Sequence, residues 1–204
     1  MRAALGVLGV LLVVVYPLLV YVGLTRFSVR GLGLILLVVL LPPHLGRIFR
    51  ARREHLRAVL PLPIGIGALL LCAVAVDDER FVLALPVLIN VILFVGFAST
   101  LRAKVTMIER FARMQVDDLS DEEVTYCRSV TILWCGLFVL NGAVTAVLAV
   151  RGPIEWWTVY AGGISYALIG ILFAAEYVVR KARFRRYGKG FGDRIFVRLF
   201  PPRD

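Results

Sequence analysis

The sequence predicts an all-α, polytopic membrane protein of six transmembrane helices with both termini cytoplasmic. Three observations carry that prediction. Hydrophobic residues make up 60% of the 204, and the mean hydropathy is +0.84, beyond the range of ordinary soluble domains. The apolar residues gather in blocks of about twenty, and a helix rising 1.5 Å per residue then covers the roughly 30 Å hydrocarbon core. Charges stand between the blocks instead of recurring at the 3.6-residue period of a soluble amphipathic helix. Residues 1–179 are therefore read as a six-span membrane domain, including a cytoplasmic connection over 102–128, and 180–204 as a basic cytoplasmic tail.

The first span is read at Ala4 to Leu24. Arg2 ahead of a long apolar run resembles the start of a secretory leader, but no A-x-A-like cleavage site follows, so an uncleaved helix is expected. The second span, Gly31 to Ile48, contains Pro42 and Pro43, with His44, Arg47 and Arg50 close behind. It is expected to end early or bend there, because proline removes a helical N–H and its ring clashes with the preceding turn. Ala58 to Val76 and Phe81 to Leu101 form the third and fourth spans, and Ser129 to Val150 the fifth. The sixth runs from Trp156 to Val179, placing Trp156, Trp157 and Tyr160 at the outer interface, where amphipathic rings are enriched.

Orientation follows from 24 Lys and Arg, of which 20 fall on the side of the termini and four on the other. That asymmetry puts both termini in the cytoplasm of a bacterial inner membrane. In the long connection, Met107, Ile108, Phe111 and Met114 share a helical face, Arg110 and Arg113 lie off it, and Glu109 stands four residues before Arg113. The pattern predicts a helix lying on the cytoplasmic membrane surface. Ser120 and Glu123 then have the spacing of a capping box, starting a helix that continues into the fifth span. The tail mixes arginines with Phe191, Phe196 and Phe200, a composition that favours anionic headgroups at about 1 kcal/mol per cation.

Net charge is +10. In a multi-span chain this suits anionic lipid and requires no nucleic-acid partner. Cys72, Cys127 and Cys135 include no C-x-x-C pair, so packing is their expected role instead of a zinc site or disulfide framework. Neither His44 nor His55 begins a His-x4-Asp pattern, since Phe49 and Leu60 stand five residues on. No nucleophile elbow, H-E-x-x-H helix, phosphate-binding loop or dinucleotide fingerprint occurs. No catalytic activity, cofactor or metal is expected.

The polar residues within spans are Asn90, Asn141, Thr145, Ser165 and Glu176. An amide in hydrocarbon must find partners or cost free energy, so each is expected to face another helix. Asn90 and Asn141 fall near mid-depth on consecutive spans and are expected to hydrogen-bond to each other as helix glue. Glu176 is expected to pair with Arg180 at i,i+4. Gly162, Gly163, Ala167 and Gly170 are expected to let a neighbouring helix approach the sixth span.

The series LPVLINVILFVGFASTL from 85, MIERFAR from 107, YCRSVTILWCGLFVLNG from 126 and WWTVYAGGISYALIGILFAAEYVVR from 156 resembles an uncharacterised bacterial multi-pass membrane-protein family. Genes of that family often accompany fatty-acid-like or aryl-polyene biosynthesis genes. More distantly, the hairpin of the last two spans and the P-L-L-V-Y-V opening are similar to intracellular septation protein A. The resemblance implies motif positions at Asn90, Glu109, Arg110, Arg128, Thr131, Trp134, Asn141, Tyr166, Glu176 and Arg180. It also implies a role in the cell envelope or a lipid-like product pathway. The expected function is that of an accessory or scaffold protein contacting membrane lipids and membrane or cytoplasmic proteins. The alternative is a small transporter or flippase subunit for an acyl or polyene lipid product.

Overall fold

The computed structural model describes residues 15–50, 60–114, 116, 118–185 and 197, with the backbone alone over 43–50. Regular structure among these residues is entirely helical. Helix α1 occupies 15–26. It is followed by α2 (Val29–Arg50), α3 (Pro61–Val76), α4 (Arg80–Leu83) and α5 (Leu85–Thr100). Then come α6 (Met107–Arg113), α7 (Asp121–Arg151), α8 (Ile154–Val159), a π-turn (Tyr160–Ile164) and α9 (Ser165–Phe184).

Three helical stretches are long and apolar enough to cross a membrane: Arg80–Thr100, Asp121–Arg151 and Ile154–Phe184. They contain the fifth and sixth expected spans and all but Leu101 of the fourth. Shorter apolar helices, Val29–Pro42 and Pro61–Val76, overlap the expected second and third spans, and 15–26 overlaps the first. Pro42 and Pro43 do not end α2, which runs on to Arg50. Of the tail, 180–184 continues α9 as helix, while Phe191, Phe196 and Phe200 lie outside the described residues, as does His55.

Local chemistry explains the element ends. Proline occupies the first turn of both α3 and α5, where its missing N–H leaves no intrahelical bond unmade. Helix α3 stops at Asp77, whose φ of 60° is left-handed and whose N–H caps the Ala73 carbonyl. Ser120 opens α7 as expected: its hydroxyl accepts the Glu123 N–H at 3.3 Å, and the Glu123 carboxylate accepts the Ser120 N–H at 2.8 Å.

Helix α7 is the central member of the bundle. Its buried stripe of Cys127, Thr131, Trp134, Phe138, Asn141, Thr145 and Ala149 has the three- and four-residue spacing of a packed helix seam. The stripe connects two apolar clusters. One joins Tyr16, Val20, Leu32, Leu70, Val82 and Trp157; the other joins Ile108, Ala112, Val130, Trp134 and Phe138. Away from the seam, large apolar residues such as Leu140, Val147 and Ile171 are exposed, as on a surface solvated by lipid instead of water.

Candidate functional site

The polar groups of the bundle form three sets, distributed along its length. At one end, Pro86 in α5 has no N–H to offer the Val82 carbonyl one turn earlier. The Tyr16 hydroxyl from α1 supplies the missing donor at 2.7 Å. On the next carbonyl, Leu83, the indole N–H of Trp157 closes at 3.2 Å. The two rings meet edge to face, with centroids 6.4 Å apart. Trp157 is fully buried, whereas Trp156 is exposed. This corrects the expectation that both tryptophans belong to an interfacial belt: one indole is a core residue that joins α8 to the break between α4 and α5.

At mid-length, Asn141 is fully buried and its Oδ1 accepts the Tyr160 hydroxyl at 2.8 Å. Asn90 instead donates to the Pro86 carbonyl of its own helix, also at 2.8 Å. The expected Asn90–Asn141 bond is absent. The register gives the reason, because Asn90 stands against Gly142, where an added Cβ would lie 3.3 Å from the Asn90 Cβ. One residue turns a helix by about 100°, so contact at Gly142 directs the neighbouring Asn141 toward a different helix.

That helix carries the π-turn. Its i→i+5 bonding admits one extra residue and changes the facing of everything beyond it. Gly162 within it meets Pro17 of α1, an added Cβ lying 3.3 Å from the proline ring. Gly163 and Gly170 have open space beside them and Ala167 is exposed. Of the four small residues expected to admit a neighbour, Gly162 does so among the described residues.

The third set lies at the opposite end, where α6 docks on α7. The first backbone donors of α6 find side-chain acceptors from two helices, α5 and α7: Met107 N–H reaches the Thr100 hydroxyl at 2.9 Å, and Ile108 N–H the Thr131 hydroxyl at 3.4 Å. Both hydroxyls donate in turn to a carbonyl of their own helix. Glu109, 2% exposed, accepts the Thr106 N–H and receives the Arg113 guanidinium at 2.7 Å. Ile108 and Ala112 are buried, while Phe111 and Met114 are exposed. The expected single apolar face is thus split, part of it turning into the protein.

Beside it, α7 and α9 are tied by charge and aromatic rings. Arg180 pairs with Glu176 as expected, its Nε 2.6 Å from the carboxylate, and its Nη2 lies 4.0 Å from the Cys127 sulfur. The guanidiniums of Arg180 and Arg183 stand 5.7 and 5.9 Å from the Tyr126 ring centre. Arg183 also donates twice to Glu122, at 3.0 and 2.8 Å.

The structure therefore brings Thr131 to Ile108 at the start of the helix that carries Glu109, and Arg180, paired with Glu176, to Cys127. Trp134 is buried against Phe138 and Phe173, at 5.7 and 4.5 Å. Arg110 and Arg128 are exposed, and Ser165 and Tyr166 are half-buried on α9. Sequence reasoning passed over Tyr16, Thr100, Glu122, Tyr126 and Arg183. Only Tyr16 had an available signal: Pro86 in an apolar run strands a carbonyl that some donor must reach.

This architecture, apolar outside and with polar groups joining helices inside, is all-helical among the described residues, with three helices long and apolar enough to cross a membrane, and is consistent with an α-helical membrane protein. No protein-family model, curated protein or solved structure matches the chain.

Proposed function

We propose that the protein is an accessory or scaffold component of a bacterial inner membrane, acting in a cell-envelope or lipid-like product pathway without catalysis of its own. In this reading six spans place both termini and α6 in the cytoplasm, in keeping with the distribution of Lys and Arg. The supporting observation is the use of the intramembrane polar groups. Asn141, Thr131, Tyr16 and Trp157 each bond to another helix or to backbone in a neighbouring element, which is the work of helix glue. The charged end formed by α6, α7 and α9 is left to meet partners.

A second reading, a small transporter or flippase subunit for an acyl or polyene lipid product, is favoured by one specific observation. Asn141 Nδ2 is buried with no hydrogen-bond partner, and it lies beside a π-turn, a feature frequent at functional sites.

Complementation of a deletion strain, scored by its envelope lipid profile, separates the two. The scaffold reading expects Asn90→Leu and Asn141→Leu to restore the profile and Phe111→Asp to fail at equal protein level. The opposite pattern overturns it in favour of transport. Reporter fusions after Arg57, Arg113 and Arg203 should read cytoplasmic, and those after Glu79 and Glu155 periplasmic; a periplasmic C-terminus rejects the six-span arrangement.

A further inference from the structure

We infer that α6 is an interfacial anchor whose flank of exposed Phe111 and Met114 and half-buried Met107 sits in the headgroup layer of the bilayer, its neighbouring flank of Arg110 and Arg113 facing anionic lipid phosphate. The inference rests on the reading that the three long helices cross a membrane. Its basis is depth. Twenty residues of helix cover about 30 Å, the hydrocarbon thickness.

Counted inward from Arg80, Arg151 and Trp156 at one end, that length arrives at Thr100, Thr131 and Glu176. The structure ties two of these together, because Thr100 and Thr131 hold consecutive N–H groups at the start of α6. The third agrees: Arg180, one turn beyond Glu176, contacts Cys127, one turn beyond Thr131. Helix α6 thus begins in the plane where hydrocarbon gives way to headgroups.

The tilt of α6 does not alter this placement. Phe111 is four residues from Met107 and so lies within about 6 Å of that plane, inside the interfacial layer, whichever way the helix points. Phe111 is 48% exposed and Met114 is 77% exposed. Surface at that level not covered by protein is covered by lipid. Around the helix the residues divide into three sectors. Ile108, Glu109 and Ala112 are buried against the bundle, Met107, Phe111 and Met114 share a second flank, and Arg110 and Arg113 occupy the third. An apolar flank beside a cationic one is the pattern of a helix seated at an anionic membrane surface. The sequence pattern alone assigned Ile108 to the membrane; the structure reassigns it to the bundle and leaves the flank centred on Phe111.

Bimane on one introduced cysteine per variant of the full chain tests this, on a Cys72→Ser background whose two remaining cysteines, Cys127 and Cys135, are buried, with the unsubstituted background as the labelling control, in phosphatidylcholine vesicles with and without phosphatidylglycerol. The labels go at Phe111→Cys, Leu140→Cys and Glu122→Cys. The mid-span Leu140 label should be quenched by lipid carrying a nitroxide at the chain end, and the Glu122 label by aqueous iodide. The Phe111 label should be quenched by lipid carrying the nitroxide near the headgroup, at least about threefold more than the Glu122 label. Added phosphatidylglycerol should raise that quenching, and Arg110→Gln should reduce the rise. If Leu140 fails to respond to lipid, the membrane reading itself falls. With Leu140 responding, a Phe111 label as open to iodide as Glu122 overturns the anchor, and so does one shielded from both lipid and iodide. Met114→Cys gives the same comparison at a second position if the Phe111 variant does not fold.

Discussion

The two ends of the helix bundle join their helices by different chemistry. At the Trp157 end the joints are neutral. A phenol and an indole close on two successive carbonyls at the break before Pro86, and charge is kept to the rim, where Arg30 and Asp77 stand 3.6 Å apart and half exposed. At the α6 end charge and rings take part: Glu122 with Arg183 joins α7 to α9 and Arg180 lies over the Tyr126 ring, while Glu109 with Arg113 and Glu176 with Arg180 pair within their own helices. The difference shows how environment selects the joint. A backbone carbonyl stranded in an apolar interior costs several kcal/mol, so a neutral donor that arrives already packed gains much and is indifferent to salt. Charges can hold helices together only where water or headgroups still solvate them, and there they are worth less and are screened.

The sharpest break of this comparison is Trp157→Ala, which removes a fully buried ring and its hydrogen bond. It should cost about 3–5 kcal/mol in reversible unfolding in bicelles, unchanged by added salt. A loss under about 1 kcal/mol would mean that the neutral end is not where stability resides.

Next in size is Tyr16→Phe, which removes a hydroxyl and little volume. It should cost about 1–3 kcal/mol by leaving the Val82 carbonyl unpaired. In a Pro86→Ala background the new N–H can serve that carbonyl, so the same change should cost less. Equal costs in the two backgrounds would show that Tyr16 does not compensate for the proline.

At mid-length, a double-mutant cycle between Asn141→Leu and Tyr160→Phe should give a coupling of about 0.6 kcal/mol, and at most about 1.7. Asn90→Leu should add to Asn141→Leu without coupling. The reverse result would restore the asparagine pair that the sequence suggests and remove the π-turn contact.

The smallest effect is at the ionic end. Glu122→Gln should cost about 0.2–1 kcal/mol at low salt and nothing measurable at high salt, because both partners are more than half exposed. A salt-independent loss there would erase the contrast between the ends.

Much of the fold is legible in the chain because its signals are local. A block of twenty apolar residues needs no partner to declare a span. The Ser120–Glu123 box and the Glu109–Arg113 and Glu176–Arg180 pairs lie within one helical turn, so spacing alone places them together. The candidate site is less legible. Glu122 and Arg183, or Tyr16 and Val82, are brought together across more than sixty residues by helix packing that leaves no periodic trace.

By itself, the sequence determined that the chain is helical, where its stretches long and apolar enough to cross a membrane lie, and how α7 begins. Those are consequences of hydropathy and of bonds within one turn, set by the residues concerned. Tertiary structure alone decided which way each polar group faces. Asn141 meets Tyr160 because α5 touches α7 at Gly142, and Trp157 is a core residue because its indole finds the Leu83 carbonyl. The physical reason is angular: each residue turns a helix by about 100°, so a shift of one position in packing register, or one extra residue in a π-turn, reassigns a side chain to a different neighbour.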